Sequence, residues 1–445
     1  MFNKNKKFLF FIFIFSFIIR FLFFNFLVKD SPVLWEFDSK VYKQVAQKII
    51  EDKQISNQDD SPHFYRVPGY SIFLALTSLN NNLNNSLLLQ ILLSSLIPIL
   101  IFYLALIIYP ESFLLAKLAA IFSCINIGFM TFSGLAMTES LFLILFLVFL
   151  ILFYKNKLFL SGIILGLSSM FRPVGHYLIF IIIFLILLNF KNKLKNIIYI
   201  FSGWFIAVLP LLLRNFLLTG CLFFTTLPGI HFIKHGAARI CMQANNCDYM
   251  CALNKVNNEW ECEINKKIKK NINLNKKLSE PEICNLGEKI ALNYFVKYPY
   301  LTIKLAIKNI LKTCFSLYSS EIIFLDTGVL PEYEINNNFF YNIKKLFKKF
   351  LVPEVNNEFI VFIVYLEIIL NIFLIIGFLG FAFKSIHLID YKNIFLKLIL
   401  FIFLFIFLSF SCGFARLRLP IEPILILLSL KFWVDIFYKK KRNYG

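Results

Sequence analysis

The 445-residue chain carries only eight arginines against 38 lysines, and six of the eight map to one predicted side of a membrane: Arg66, Arg172, Arg214, Arg239, Arg416 and Arg418. A guanidinium is a planar fork that holds two phosphate oxygens at once, which a lysine ammonium cannot do. A single arginine at such a position is equally well explained as snorkelling to a bilayer interface. The set together points to a bound phosphate or another anion. Acids collect in the same places. Asp38 opens a helix-like stretch in which Val41, Val45 and Ile49 form an apolar stripe, and Tyr42 falls one turn after Asp38 on the same face. Asp38 is also well placed simply to cap that helix. Glu139, after Thr138, begins an apolar run, where a carboxylate either complements the helix dipole or serves chemistry at membrane depth. Arg66-Val-Pro-Gly-Tyr70 is a turn signal carrying a cation and an aromatic.

The elements that must position these groups are membrane spans. Hydrophobic residues make up 59% of the chain and charged residues 16%, against about 25% in soluble domains. The apolar blocks approach the ~20 residues that cross a bilayer. Soluble, fibrous and disordered classes are thereby excluded. The net charge of +20 is mostly lysine placed as loop charge, so no nucleic-acid partner is expected. The expected fold is an all-α polytopic membrane protein of about ten spans: 8–28, 85–108, 115–133, 138–154, 158–174, 176–190, 197–217, 359–383, 394–412 and 420–437. Lys4, Lys6 and Lys7, then Lys155 and Lys157, then Lys191, Lys193 and Lys195, and finally Lys439 to Arg442 mark one side as cytoplasmic. Both termini are expected there, in a plasma (bacterial inner) membrane, and the first span has no small-residue cleavage site after it. This divides the chain into an N-terminal core 1–217 with a first extracytoplasmic loop 29–84, a long loop 218–358, and C-terminal spans from 359 to 445. Within the long loop, Ile290 to Tyr318 reads as one amphipathic helix on the membrane surface. The six arginines fall on the extracytoplasmic side, against the positive-inside tendency.

In chain order, the pieces are Asp38 with Tyr42, Arg66 to Tyr70, Thr138-Glu139, Arg172-Pro173, Arg214-Asn215 and Arg416-x-Arg418-x-Pro420. This series resembles the GT-C superfamily of integral-membrane glycosyltransferases, in the branch of protein O-mannosyltransferases and lipid A aminoarabinose transferases. The resemblance covers nearly the whole chain except 240–350. It implies a polyprenyl-phosphate-linked sugar donor, a glycan, lipid or protein acceptor, and a site facing away from the cytoplasm. It implies Asp38 as general base, removing the proton of the attacking hydroxyl with inversion at the anomeric carbon. Arg66, Arg172, Arg214, Arg416 and Arg418 are then candidates for the leaving phosphate, supported by Tyr42, Tyr70 and Glu139. Many relatives carry Asp-Glu in the first loop. Here Ser39 follows Asp38 and Glu36 lies two residues before it, so Glu36 is the alternative base.

Five cysteines lie between Cys241 and Cys284, without paired C-x-x-C spacing, so disulfides are the expected account of Cys241, Cys247, Cys251, Cys262 and Cys284 rather than zinc. His231 and His235 are four apart but lack a third ligand. No cofactor is firmly implied, and a divalent metal stays open. The competing readings are a carrier or flippase of lipid-linked sugars and a non-enzymatic scaffold. Carriers show paired broken helices in symmetric halves, and no such symmetry is visible here.

Overall fold

A computed structural model describes residues 5–80, 82–189, 192–272, 278–328, 357–387 and 413–442. Apart from turns and isolated bridges, the described residues are helical. The chain runs through α1 (Lys6–Leu27), α2 (Asp38–Asp52), α3 (Gly69–Thr77), α4 (Asn84–Ser94), α5 (Ile97–Ile108), α6 (Phe113–Ile125), α7 (Ile127–Gly134), α8 (Glu139–Tyr154), α9 (Leu158–Phe171), α10 (Val174–Asn189) and α11 (Lys193–Thr219). Next come α12 (Leu227–His231), a π-helical turn (Phe232–Ala237), α13 (Ala238–Asn245), α14 (Tyr249–Ile272), α15 (Glu280–Lys297), α16 (Pro299–Phe315) and α17 (Ser319–Thr327). The helices Glu358–His387 and Glu422–Arg442 follow.

Four of these segments are long and apolar enough to cross a bilayer: α1, α4 with α5, α11, and Glu358–Ser385. The pair α6 and α7, bent by 51°, makes a fifth if counted as one span. α8, α9 and α10 are apolar but shorter. The chain is thus all-helical in character, with four to five segments suited to a membrane among the described residues. The span expected at 394–412 lies outside the described residues.

Helix contact in a bilayer depends on close packing more than on apolar burial, which favours small residues at crossings. α9 and α11 show this directly. A Cβ on Gly162 would meet the Ile200 carbonyl oxygen at 2.1 Å, and one on Gly203 would meet that of Phe159 at 2.2 Å. The two backbones therefore touch, and Arg172 and Arg214 emerge near the same end of the pair.

The segment 218–328 makes a helical layer with its own small core of Ile233, Ala237, Cys241, Ala252, Val256, Ile290 and Ala291. Its amphipathic stretch is two helices, not one, because Pro299 keeps Tyr298 out of the helical basin (φ −124°, ψ 62°). The expected disulfides are not formed. All eight cysteines described are free thiols, with Cys241 and Cys284 buried in packed helices while Cys262 is exposed on α14.

Candidate active site

α2 begins at Asp38, and the backbone just before it is strained: Phe37 has φ 55°, ψ −121°, a conformation bulky residues rarely adopt. Ser39 clips the same turn by donating to the carbonyls of Leu34 at 2.8 Å and Glu36 at 2.6 Å. The turn aims Asp38 inward. Glu36, by contrast, is 49% exposed and pairs with Lys40 at 3.6 Å, which turns the alternative base away from the centre.

Asp38 is the hub, not a helix cap. Its Oδ1 accepts from Arg66 at 2.5 Å and its Oδ2 from Arg416 at 3.1 Å. Arg66 also donates to the Tyr42 hydroxyl at 3.2 Å and lies over the rings of Tyr42 and Tyr65 at 5.3 and 5.2 Å. Burial pushes the Asp38 carboxyl up, but Arg416 and Arg66 together outweigh it, so the group is held below the usual aspartate value.

Arg66 reaches Asp38 because α3 packs closely on the end of α9. A Cβ on Gly69 would stand 2.4 Å from the Met170 carbonyl oxygen. Only glycine permits that approach, and it sets the Arg66 turn beside Arg172. Arg172 pairs with buried Glu139 at 3.0 Å, and its charge also acts on Asp38. Tyr70 is fully buried and donates to Gln90 at 2.8 Å, and Gln90 donates to the carbonyls of Ser133 and Leu135 at 3.0 and 2.7 Å. Tyr70 therefore ties the first loop to the turn that leads to Glu139.

Two of the five expected phosphate-binding arginines make their contacts elsewhere. Arg214 donates to the carbonyls of His63 at 3.2 Å and Ile55 at 2.7 Å, so its fork fastens the first loop to the end of α11. His63 accepts from the Arg66 backbone N–H at 3.1 Å and contacts Asn57 Oδ1 at 2.7 Å. Burial first, then Arg214 and Arg66, push its imidazole down to about 4. Arg418 is buried and paired with Glu422 at 3.0 Å, and it donates to the carbonyls of Cys314 at 2.5 Å, in the last turn of α16, and of Ser316 at 3.1 Å, just past it. Six consecutive motif pieces carried no sign that two of the arginines were backbone clamps.

Glu321 escaped the sequence reading, being an acid inside a long, unfamiliar loop. It lies where the charges of Arg416, Glu139 and Asp38 all act on it. The charges of this centre also act on His231. Burial, then Arg416, Arg66 and Arg239, push its imidazole down to about 4. The His231 and His235 rings lie 4.6 Å apart. Among the described residues, no three His, Cys, Asp or Glu side chains converge as a metal site requires.

No protein-family model and no curated protein matches the chain.

Proposed function

We propose that this chain is a membrane glycosyltransferase that moves a sugar from a polyprenyl-phosphate donor to an acceptor on the extracytoplasmic face. In this reading the fold is of GT-C type, with about ten spans and both termini cytoplasmic. The observation that carries it is the convergence of Arg66 and Arg416 on the single carboxylate of Asp38. Two guanidiniums held 2.5 and 3.1 Å from carboxylate oxygens are preorganised for an oxyanion, and a departing lipid phosphate supplies one. On binding, the donor phosphate competes with Asp38 for both forks. Arg172, neutralised by Glu139, adds a third guanidinium nearby. The order of motifs along the chain supports the same reading.

Chemically, the acceptor oxygen attacks the anomeric carbon as the bond to phosphate breaks, which inverts that centre. A carboxylate must take the hydroxyl proton, and Asp38 is the one that the family resemblance offers.

Purified full-length protein in lipid, given a panel of radiolabelled polyprenyl-phosphate sugars and an envelope extract as acceptor source, tests this. Transfer or release of label from at least one donor is the expected result. Donor that binds and is moved across the bilayer without cleavage would replace transfer with the carrier reading.

A further inference from the structure

Asp38 is poorly equipped to accept a proton. Both of its oxygens are taken by arginines, and a carboxylate held below its ordinary range is a weak base at neutral pH. Glu321 is placed differently. Residues three or four apart share a helix face, so Tyr318, Glu321, Phe324 and Leu325 follow one another along one side of α17. At one end of that face the Tyr318 ring lies 4.8 Å from the guanidinium of Arg418, two residues from Arg416. Further along, Phe324 meets Phe37 edge-on at 5.4 Å, one residue before Asp38. Glu321 lies between them along the helix, where the charges of Arg416 and Asp38 act on it. Its carboxylate makes no hydrogen bond or ion pair with the described residues.

α17 is held firmly enough for this to matter. Glu367, from the helix Glu358–His387, accepts from the backbone N–H groups of Tyr318 at 2.6 Å and Ser319 at 2.8 Å, so it caps α17 from a neighbouring helix. The Tyr318 hydroxyl donates to Glu422 at 3.3 Å, and Ser31 donates to the Leu325 carbonyl at 2.7 Å. A Cβ on Gly128 would overlap the Tyr318 ring at 2.6 Å, so α7 also fits closely against it.

We propose that Glu321, not Asp38, takes the proton from the acceptor hydroxyl, and that Asp38 is a positioning residue that keeps Arg66 and Arg416 together for the donor phosphate. This rests on the glycosyl-transfer reading above. In the step, the acceptor O–H proton passes to a Glu321 Oε and the acceptor oxygen bonds to the anomeric carbon. The carbon–oxygen bond to phosphate breaks, its electron pair leaves on the polyprenyl phosphate, and Arg66 and Arg416 hold that charge. Glu321 then returns the proton to water. Burial pushes the Glu321 carboxyl up; Arg416 opposes this, while Glu139 and Asp38 add to it, leaving the group above the usual glutamate value. That direction brings a carboxylate closer to the working pH of a general base.

Two measurements test the assignment. Dicyclohexylcarbodiimide modifies protonated carboxyls in apolar surroundings, and mass spectrometry of labelled full-length protein near neutral pH locates them without any turnover. Modification at Glu321 and not at Asp38 is expected, fading as pH rises; the opposite pattern overturns the proposal. With an active donor, Glu321→Gln should lower kcat by about a hundred- to ten-thousand-fold with donor binding kept. Glu321→Asp should restore part of it, and Asp38→Asn should keep the rise of activity with pH. Wild-type kcat and pH profile in Glu321→Gln would sink the base assignment alone. Wild-type protein that binds no polyprenyl-phosphate sugar would sink the transfer reading, and this assignment with it.

Discussion

Arg416 donates to Asp38 at 3.1 Å across 378 positions of chain. The last described connection thus closes onto the first, and the charged centre exists only when the whole bundle is assembled. Arg66 reaches the same carboxylate from 28 positions away, so one partner of Asp38 is local and the other depends on the complete fold.

The lowered Asp38 carboxyl has a consequence for stability. A carboxyl whose folded value lies below its unfolded value contributes stability that is fully present above the unfolded value, about 3.9 for aspartate, and is lost as pH falls through the folded value. Asp38→Asn should therefore unfold earlier than wild type at neutral pH, by about 1.5–3 kcal/mol. The gap should narrow below about pH 4. Thermal unfolding of both proteins across pH checks this, and parallel curves would contradict it.

Gly69→Ala should be disruptive although it adds one methyl group. Its Cβ would lie 2.4 Å from the backbone oxygen of Met170, which cannot swing aside. A loss of about 1–3 kcal/mol is expected, with weakened pairing of Arg66 to Asp38. Unchanged unfolding would mean that α3 rests less closely on α9.

Tyr70→Phe separates packing from chemistry. It leaves Gln90 Oε1 buried without its donor, at a cost of about 1–3 kcal/mol. Because the hydroxyl is spent on Gln90, donor binding by the folded variant should equal that of wild type. Lost binding in a protein of normal stability would place Tyr70 in contact with the ligand.

Arg418→Ala should destabilise by about 3–5 kcal/mol, since it leaves Glu422 and several α16 carbonyls without their buried partner. Arg418→Lys should rescue little, because one ammonium cannot reproduce the fork. Chemical denaturation of the three proteins decides this; a stable Arg418→Ala protein would return Arg418 to the list of ligand-binding candidates.

Local chemistry was legible in the sequence and distant partnership was not. The turn between Asp38 and Tyr42, the Pro-Gly pair beside Arg66, and the Thr138-Glu139 start of α8 are features of a few consecutive residues, and each marks a contact within or next to the centre. Arg214 and Arg418 look the same in sequence as Arg66 and Arg416. What separates them is whether the fork meets Asp38 or is taken up by backbone carbonyls, joined by Glu422 for Arg418, and that is settled by packing. The split at Pro299 was visible, because residues before proline leave the helical basin, but the apolar periodicity across it argued the other way. Glu321 was hidden because nothing near it in the chain resembles a motif, and its position is set by Phe37, Tyr318 and Glu367.

The most direct test of the central claim is equilibrium binding of the polyprenyl-phosphate sugar panel to wild type, Arg66→Ala and Arg416→Ala in lipid. A centre built for a lipid phosphate predicts that wild type binds at least one donor and that each substitution weakens binding by about tenfold or more, the loss of a charge-assisted contact of about 1.5–3 kcal/mol. Donor binding that ignores both substitutions, or its absence from wild type, would contradict the account.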